Sequence, residues 1–230
     1  MRLQNMSLHN MGRHFSGLHR VMTGFCLALI AAMPASAVSP AAVVASAPAA
    51  TVDTVVFAGG CFWGVQGVFQ HVKGVVSATS GYSGGSVTNP DYEQVSSGRT
   101  GHAESVRVIY DPSRVSYARL MEVFFTVAHD PTQLNRQGPD VGTQYRSALF
   151  YTSDAQRLAT QAYVAQLEKS GRKVVTQVAP LRGFTVAEAY HQDYATLHPD
   201  QPYIRYNDLP KISQLRQQYP QLWSDRLAAH

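Results

Sequence analysis

Cys61 stands in Gly59-Gly60-Cys61-Phe62-Trp63, directly after Thr54–Ala58, a β-branched apolar run that reads as a buried strand. Val65, Val68 and Phe69 follow at helical spacing, so the thiol falls at a strand-to-helix turn, in the first helical turn. Helix N-termini carry partial positive charge and unpaired N–H groups, which favour a thiolate over a thiol. The expectation is a nucleophile rather than an inert, packed cysteine. The glycines let backbone or substrate approach closely. Phe62 and Trp63 are either core residues or the walls of a pocket for a small apolar group.

A carboxyl group offers the complementary chemistry. The segment from Gly101 to Tyr110 alternates like a strand, with Glu104, Val106, Val108 and Tyr110 on one face and Ser105, Arg107 and Ile109 on the other. Glu104 opens the more apolar face. A desolvated carboxyl there has a raised pKa and holds a proton near neutrality. The bland alternative is a strand-end glutamate turned to solvent or paired with an arginine. A long polar, glycine-rich loop runs from His129 to Ser147 and contains Asp140 and Tyr145, and a second loop carries Asn89-Pro90-Asp91-Tyr92. Loops of this length are often functional, although each tyrosine and aspartate taken singly is an ordinary loop residue.

The elements that must position these groups alternate along the chain. Val75–Tyr82 reads as a strand. A helix over Tyr117–Ala128 is capped by Ser116, and a strand covers Ser147–Tyr151. Ser153 caps a helix over Asp154–Lys169, with Gln156 completing a capping box and Gly171 ending the helix. A strand follows at Val174–Ala179, then short helices near Ala187–Leu197 and Pro210–Gln218. This order predicts one α/β domain, a mixed sheet covered by helices, with a polar C-terminal stretch wrapped around it.

Composition removes several function classes. Hydrophobic residues make up 45% and charged residues 15% of the 230, which excludes a disordered chain or a coiled coil. The net charge is +4, but Arg2, Arg13 and Arg20 fall within residues 1–37, which hold no acid. The remaining 16 basic and 15 acidic residues nearly cancel, so no nucleic-acid partner is indicated. The histidines show no H-x-x-x-H spacing and the cysteines no C-x-x-C spacing, which argues against a metal site, and Gly81–Gly85 lacks the lysine of a phosphate loop.

Residues 1–37 read as a signal peptide: a basic stretch to Arg20, an apolar run from Val21 to Met33 and the small-x-small pattern before Val38. An uncleaved anchor is the alternative. Residues 38–50 read as a flexible linker and 51–230 as the catalytic domain. The expected protein is exported, to the periplasm, with no stable membrane partner beyond the export signal. Cleavage removes Cys26 and leaves Cys61 as the single cysteine, so the mature chain forms no internal disulfide.

Taken in order, Gly60-Cys61-Phe62-Trp63-Gly64, Gly81–Gly85, Gly101-His102-Ala103-Glu104, His129-Asp130-Pro131, Gly142–Ser147, Tyr190–Tyr194 and Pro202-Tyr203-Ile204 resemble the A-type peptide methionine-sulfoxide reductases, from about Val55 to Pro220. The resemblance implies a ferredoxin-like two-layer core and reduction of the S epimer of methionine sulfoxide, in proteins or as the free amino acid. It implies that Cys61 attacks the sulfoxide sulfur and becomes a sulfenic acid, and that Glu104 donates the proton. Tyr92 and Tyr145 would hold the oxygen, Asp140 would organise polar groups and water, and Phe62 and Trp63 would wall the methyl pocket. No bound cofactor is implied. A thioredoxin-like protein or a small thiol is the co-substrate, and oxidised proteins are the partners. Many members carry resolving cysteines near the C-terminus, whereas none occurs here after Pro199. An outside thiol must then attack the sulfenic acid directly.

Two other classes stay open on sequence alone. A cysteine hydrolase would pair Cys61 with His129 or His191. A non-catalytic module would bind oxidised methionine without using the thiol.

Overall fold

The computed structural model describes residues 51–230. The proposed signal peptide and linker lie outside the described residues. The strands are β1 (Asp53–Ala58), β2 (Val75–Ser83), β3 (Ala103–Tyr110), β4 (Arg136–Gln137), β5 (Asp140–Val141), β6 (Ala148–Tyr151), β7 (Gln177–Pro180) and β8 (Phe184–Val186). The helices are α1 (Phe62–Gln70), α2 (Tyr92–Ser96), α3 (Tyr117–Val123), α4 (Asp154–Lys169), α5 (Tyr194–Leu197) and α6 (Leu209–Gln218).

Six strands form one sheet in the order β7-β6-β1-β3-β2-β8, and β4 and β5 form a separate small hairpin. β3 runs antiparallel to both β1 and β2, and β1 antiparallel to β6. The inner order β6-β1-β3-β2, linked through α1 and α3, is the ferredoxin-like arrangement. β7 extends it in parallel with β6, the pairing that the α4 crossover requires. β8 closes the other edge. The fold is a single domain with a mixed sheet.

The apolar alternation of the strands decides which face the helices cover. Val55, Phe57, Val106, Val108 and Tyr110 point into one large core with Val65, Val68 and Phe69 of α1 and Phe124 and Phe125 beyond α3. Phe57 stacks on Phe69 at 4.7 Å and on Phe124 at 4.6 Å. The opposite face buries a smaller cluster, Val56, Ala58, Ala103, Ala148 and Phe150, under Leu181 and Phe184.

Local expectations held in type and shifted in detail. The helix capped by Ser116 turns into a wider π-type turn over Phe124–Ala128, where the Phe124 carbonyl meets His129 Nδ1 at 2.8 Å. Ser153 accepts from the Gln156 backbone as a cap, but the expected capping box does not form. Instead the Gln156 side chain accepts from the Thr152 backbone N–H and donates to the Asp53 carboxylate and the Thr54 carbonyl, pinning α4 to β1. The strand expected at Val174–Ala179 begins only at Gln177. Asp91 and Gln94 form a true capping box and start α2, so Tyr92 sits on a short helix rather than in a loop. The C-terminal residues wrap the sheet as expected: the Ala78 N–H donates to the Ala229 carbonyl and the Ala228 N–H to the Gln70 carbonyl.

Candidate active site

Cys61 is the N-cap of α1, one residue before its first helical residue. Gly60, at φ +89°, makes the turn out of β1, and a Cβ there would lie 2.6 Å from Gln137. Gln137 in turn holds the Asp130 backbone through both ends of its amide, each at 3.1 Å. The polar loop is thereby laid against the nucleophile turn, which brings β5 and Asp140 to the thiol.

Cys61, Phe62, Trp63, Tyr92, Glu104, Asp140 and Tyr145 all line one hollow of about 200 Å³. They come from α1, α2, β3, β5 and the turn before β6. A larger hollow of about 700 Å³ near Gly84 and Arg182 is lined by neither a cysteine nor a carboxyl group. Gln144 donates to the Ser96 carbonyl at 3.1 Å and so joins the turn carrying Tyr145 to the helix carrying Tyr92.

Glu104 is 2% exposed, on the core face of β3 that its alternation predicts. One carboxylate oxygen accepts the Phe62 N–H at 3.1 Å. Burial pushes Glu104 up to about 8 despite that bond, and the nearby carboxyls of Asp140 and Asp208 push the same way. Its proton is therefore largely retained at neutral pH. Burial, followed by the charge of Glu104, also raises Tyr92 and Tyr145, so both phenols remain O–H donors facing the hollow.

The thiol departs from the sequence expectation. The helix N-terminus was expected to favour the thiolate, yet burial raises the Cys61 thiol well above its ordinary value. The carboxyls of Glu104 and Asp208 add to the rise, and the Trp63 backbone N–H and Lys211 oppose it only in part. Desolvation outweighs the helix terminus because Cys61 is 7% exposed and its nearest charges are mostly negative. At rest Cys61 is therefore held as a thiol.

Several participants were invisible in the local pattern. Tyr203 lines the hollow, donates to Asp140 Oδ2 and meets the Trp63 ring edge-on at 6.0 Å. Its sequence signal was its place in Pro202-Tyr203-Ile204. Asp208 is fully buried, bonds Lys211 at 3.3 Å and lies so close to α1 that a Cβ on Gly64 would sit 2.1 Å from its Oδ1.

The hydrolase arrangement does not form. His129 Nε2 meets Ser147 Oγ at 2.6 Å and its Nδ1 meets a carbonyl, so both ring nitrogens are occupied. Burial lowers His129 to about 4. His191 Nδ1 accepts from the Trp63 indole. Neither is placed to deprotonate Cys61. Among the described residues no group of three His, Cys, Asp or Glu side chains is arranged to hold a metal, and no helix is long and apolar enough to cross a membrane.

A buried thiol, a protonated carboxyl beside it and two phenols facing the same hollow define a cysteine-dependent enzyme that can protonate the group its sulfur attacks. The family model described as peptide methionine sulfoxide reductase matches residues 53–223, and the chain belongs to that family. It is an oxidoreductase, and the family reaction is reduction of methionine sulfoxide in the repair of oxidised proteins. The chain is 56% identical over 177 residues to the peptide methionine sulfoxide reductase MsrA 2 of Mesorhizobium japonicum, covering 76% of this chain and 91% of that one. It is 49% identical over 175 residues to MsrA of Deinococcus radiodurans, covering 75% and 84%. Among solved structures, methionine sulfoxide reductase A of Corynebacterium diphtheriae matches with a TM-score of 0.59 at 35% identity, covering 64% of this chain and 76% of that one. Mxr1 of Saccharomyces cerevisiae in its reduced form matches with a TM-score of 0.60 at 34% identity, covering 65% and 87%.

Proposed function

We propose that this chain reduces the S epimer of methionine sulfoxide, in oxidised proteins or as the free amino acid, through a sulfenic acid on Cys61. The observation that carries the reading is the single hollow in which the Cys61 thiol, a Glu104 carboxyl that keeps its proton near neutrality, and the Tyr92 and Tyr145 hydroxyls meet. The methyl group sits against Phe62 and Trp63. Both phenols donate to the sulfoxide oxygen as negative charge builds there. Asp140, held by Tyr203, orders the polar side of the hollow.

The Cys61 sulfur forms a bond to the sulfoxide sulfur while Glu104 protonates the oxygen. The oxygen passes to the Cys61 sulfur as the S–O bond of the substrate and the new S–S bond break, so methionine leaves and Cys61 is left as S–OH. The thiol proton restores Glu104, so one thiol and one sulfoxide give one sulfenic acid and one sulfide. Cys61 is the free cysteine of the described chain, so resolution comes from outside. A first thiol displaces water from the sulfenic acid to form a mixed disulfide, and a second thiol releases Cys61. A thioredoxin-like protein or a small thiol supplies both equivalents, and no bound cofactor enters this balance. The basic, then apolar, leader supports export of the chain, to the periplasm.

A single-turnover assay tests the reading. Excess methionine-S-sulfoxide without reductant is expected to yield close to one methionine per chain and a mass gain of one oxygen at Cys61. No methionine from a folded chain with a free thiol rejects it, and a chain that binds the sulfoxide unchanged is a binding module. Loss of two hydrogens without added oxygen rejects the one-cysteine cycle.

A further inference from the structure

The phenol of Tyr92 is presented by a helix too short to hold itself. α2 has five residues, and Val95 is its one buried residue. An isolated helix shorter than about 12 residues is marginal in water, so outside bonds must fix where Tyr92 stands. The Asp91–Gln94 capping box closes the start of the helix from within and ties it to nothing else. The ties to the rest of the molecule are polar and lie at the two ends. At the first residue, the Tyr92 backbone N–H donates to Glu188 Oε1 at 2.9 Å. The other oxygen, Oε2, accepts the Tyr82 hydroxyl at 2.8 Å. Tyr82 is fully buried on β2, directly opposite Glu104 of β3. At the last residue, the Gln144 side chain donates to the Ser96 carbonyl at 3.1 Å. Thr143 Oγ1 donates to the Gly98 carbonyl, just beyond the helix, at 3.3 Å. Burial pushes the Glu188 carboxyl up, but hydrogen bonds from its own backbone N–H, the Tyr92 N–H and the Tyr82 hydroxyl outweigh it and hold the group below its ordinary value. Glu188 therefore meets both outside donors as a carboxylate.

We propose that Glu188 and Gln144 are positioning residues that clamp α2 at its two ends and so hold the Tyr92 hydroxyl where the sulfoxide oxygen gathers charge. The inference rests on the reductase reading and deepens it. Neither side chain lines the hollow, so each acts through Tyr92 rather than on the substrate. A hydrogen-bond donor lowers the barrier only if it is already in place when the charge develops, and the loss of one such donor costs about 10²- to 10³-fold in rate. A displacement of about 1 Å can cost about 10²-fold. With one end freed, the five-residue helix has its single buried side chain and its own cap to hold it, and the phenol moves with it. Gln144 also precedes Tyr145, so the turn that carries the second phenol fixes the distance to the first.

The test is a pair of double-mutant cycles, read as the single-turnover rate of methionine release at saturating methionine-S-sulfoxide. Glu188→Ala removes both acceptors, and Gln144→Met keeps the length of the side chain without its donor. Glu188→Gln keeps both contacts, because its carbonyl accepts the Tyr92 N–H and its NH₂ donates to the Tyr82 hydroxyl, which turns to accept. The Ala and Met variants are expected to slow turnover about tenfold or more, and Glu188→Gln to stay within about threefold of the parent. In a Tyr92→Phe background the Ala and Met changes are expected to add less than about threefold, because the hydroxyl they position is gone. Hydrogen exchange at the Tyr92–Ser96 amides should quicken in the Ala and Met variants and not in Glu188→Gln. If Glu188→Ala does not fold, Glu188→Met, which fills the space without an acceptor, takes its place. The parent rate or parent exchange in a folded Ala or Met variant overturns the proposal. So does an equal loss of rate with and without the Tyr92 hydroxyl. Failure of the parent enzyme to release methionine would instead reject the reductase reading, while exchange at α2 still reports the clamp.

Discussion

Replacing Glu104 by Gln separates the structural cost of the buried carboxyl from its use. The Gln carbonyl oxygen can accept the Phe62 N–H that Glu104 now takes at 3.1 Å, so the local frame is kept. What changes is the titration. The folded chain holds Glu104 up at about 8, against an ordinary 4.5, chiefly by burial. Below pH 4.5 both folded and unfolded chains carry the proton, and the group costs nothing. Between 4.5 and 8 the unfolded chain gives up its proton and the folded chain does not, so stability falls by about 1.4 kcal/mol for each pH unit. Above 8 the cost is constant. The Gln variant lacks this slope, so its stability relative to the parent is expected to grow by about 2 kcal/mol from pH 6 to pH 8. Urea unfolding at the two pH values reads this as a relative midpoint change on the order of 1 M. In the proposed mechanism the same substitution removes the proton donor, so the single-turnover rate should drop by about 10²- to 10⁴-fold. A difference in stability that stays flat from pH 6 to pH 8 would show that Glu104 is ionised in the folded chain. The mechanism would then lack its acid.

Two further perturbations address the charges behind the thiol. Asp208→Asn removes a carboxyl that holds the Cys61 thiol up, and Lys211→Met removes the cation that opposes it. The pH midpoint of Cys61 alkylation is therefore expected to fall in the first variant and rise in the second. Shifts in the same direction would refute this charge assignment. Gly64→Ala places a methyl 2.1 Å from Asp208 Oδ1. Thermal unfolding should show a net loss of about 1–3 kcal/mol, although alanine in a helix gains about 1 kcal/mol over glycine. A stabilised variant would show that Asp208 does not pack against α1.

Short-range pattern alone made legible the local frame and the placement of Cys61 and Glu104. The β-branched run, the glycines and the helical spacing put Cys61 at the start of α1, because a strand, a tight turn and an amphipathic helix each have a short-range pattern. Period-two alternation placed Glu104 on the buried face of β3, and burial is what raises its pKa. The tyrosines, Asp140 and the two aromatics were legible only through the resemblance of whole motifs, since a single loop tyrosine carries no periodic signal. Only the tertiary structure decided the rest. Gln156 left its expected capping box because Asp53 and Thr54, about a hundred residues away, offered it better partners. Tyr203, Asp208 and His191 reach Cys61 and its neighbours from the C-terminal stretch, across more than a hundred residues of chain. The charge state of Cys61 followed them: a helix N-terminus acts through its own first turn, but desolvation and neighbouring carboxyls are set by everything that folds around the sulfur.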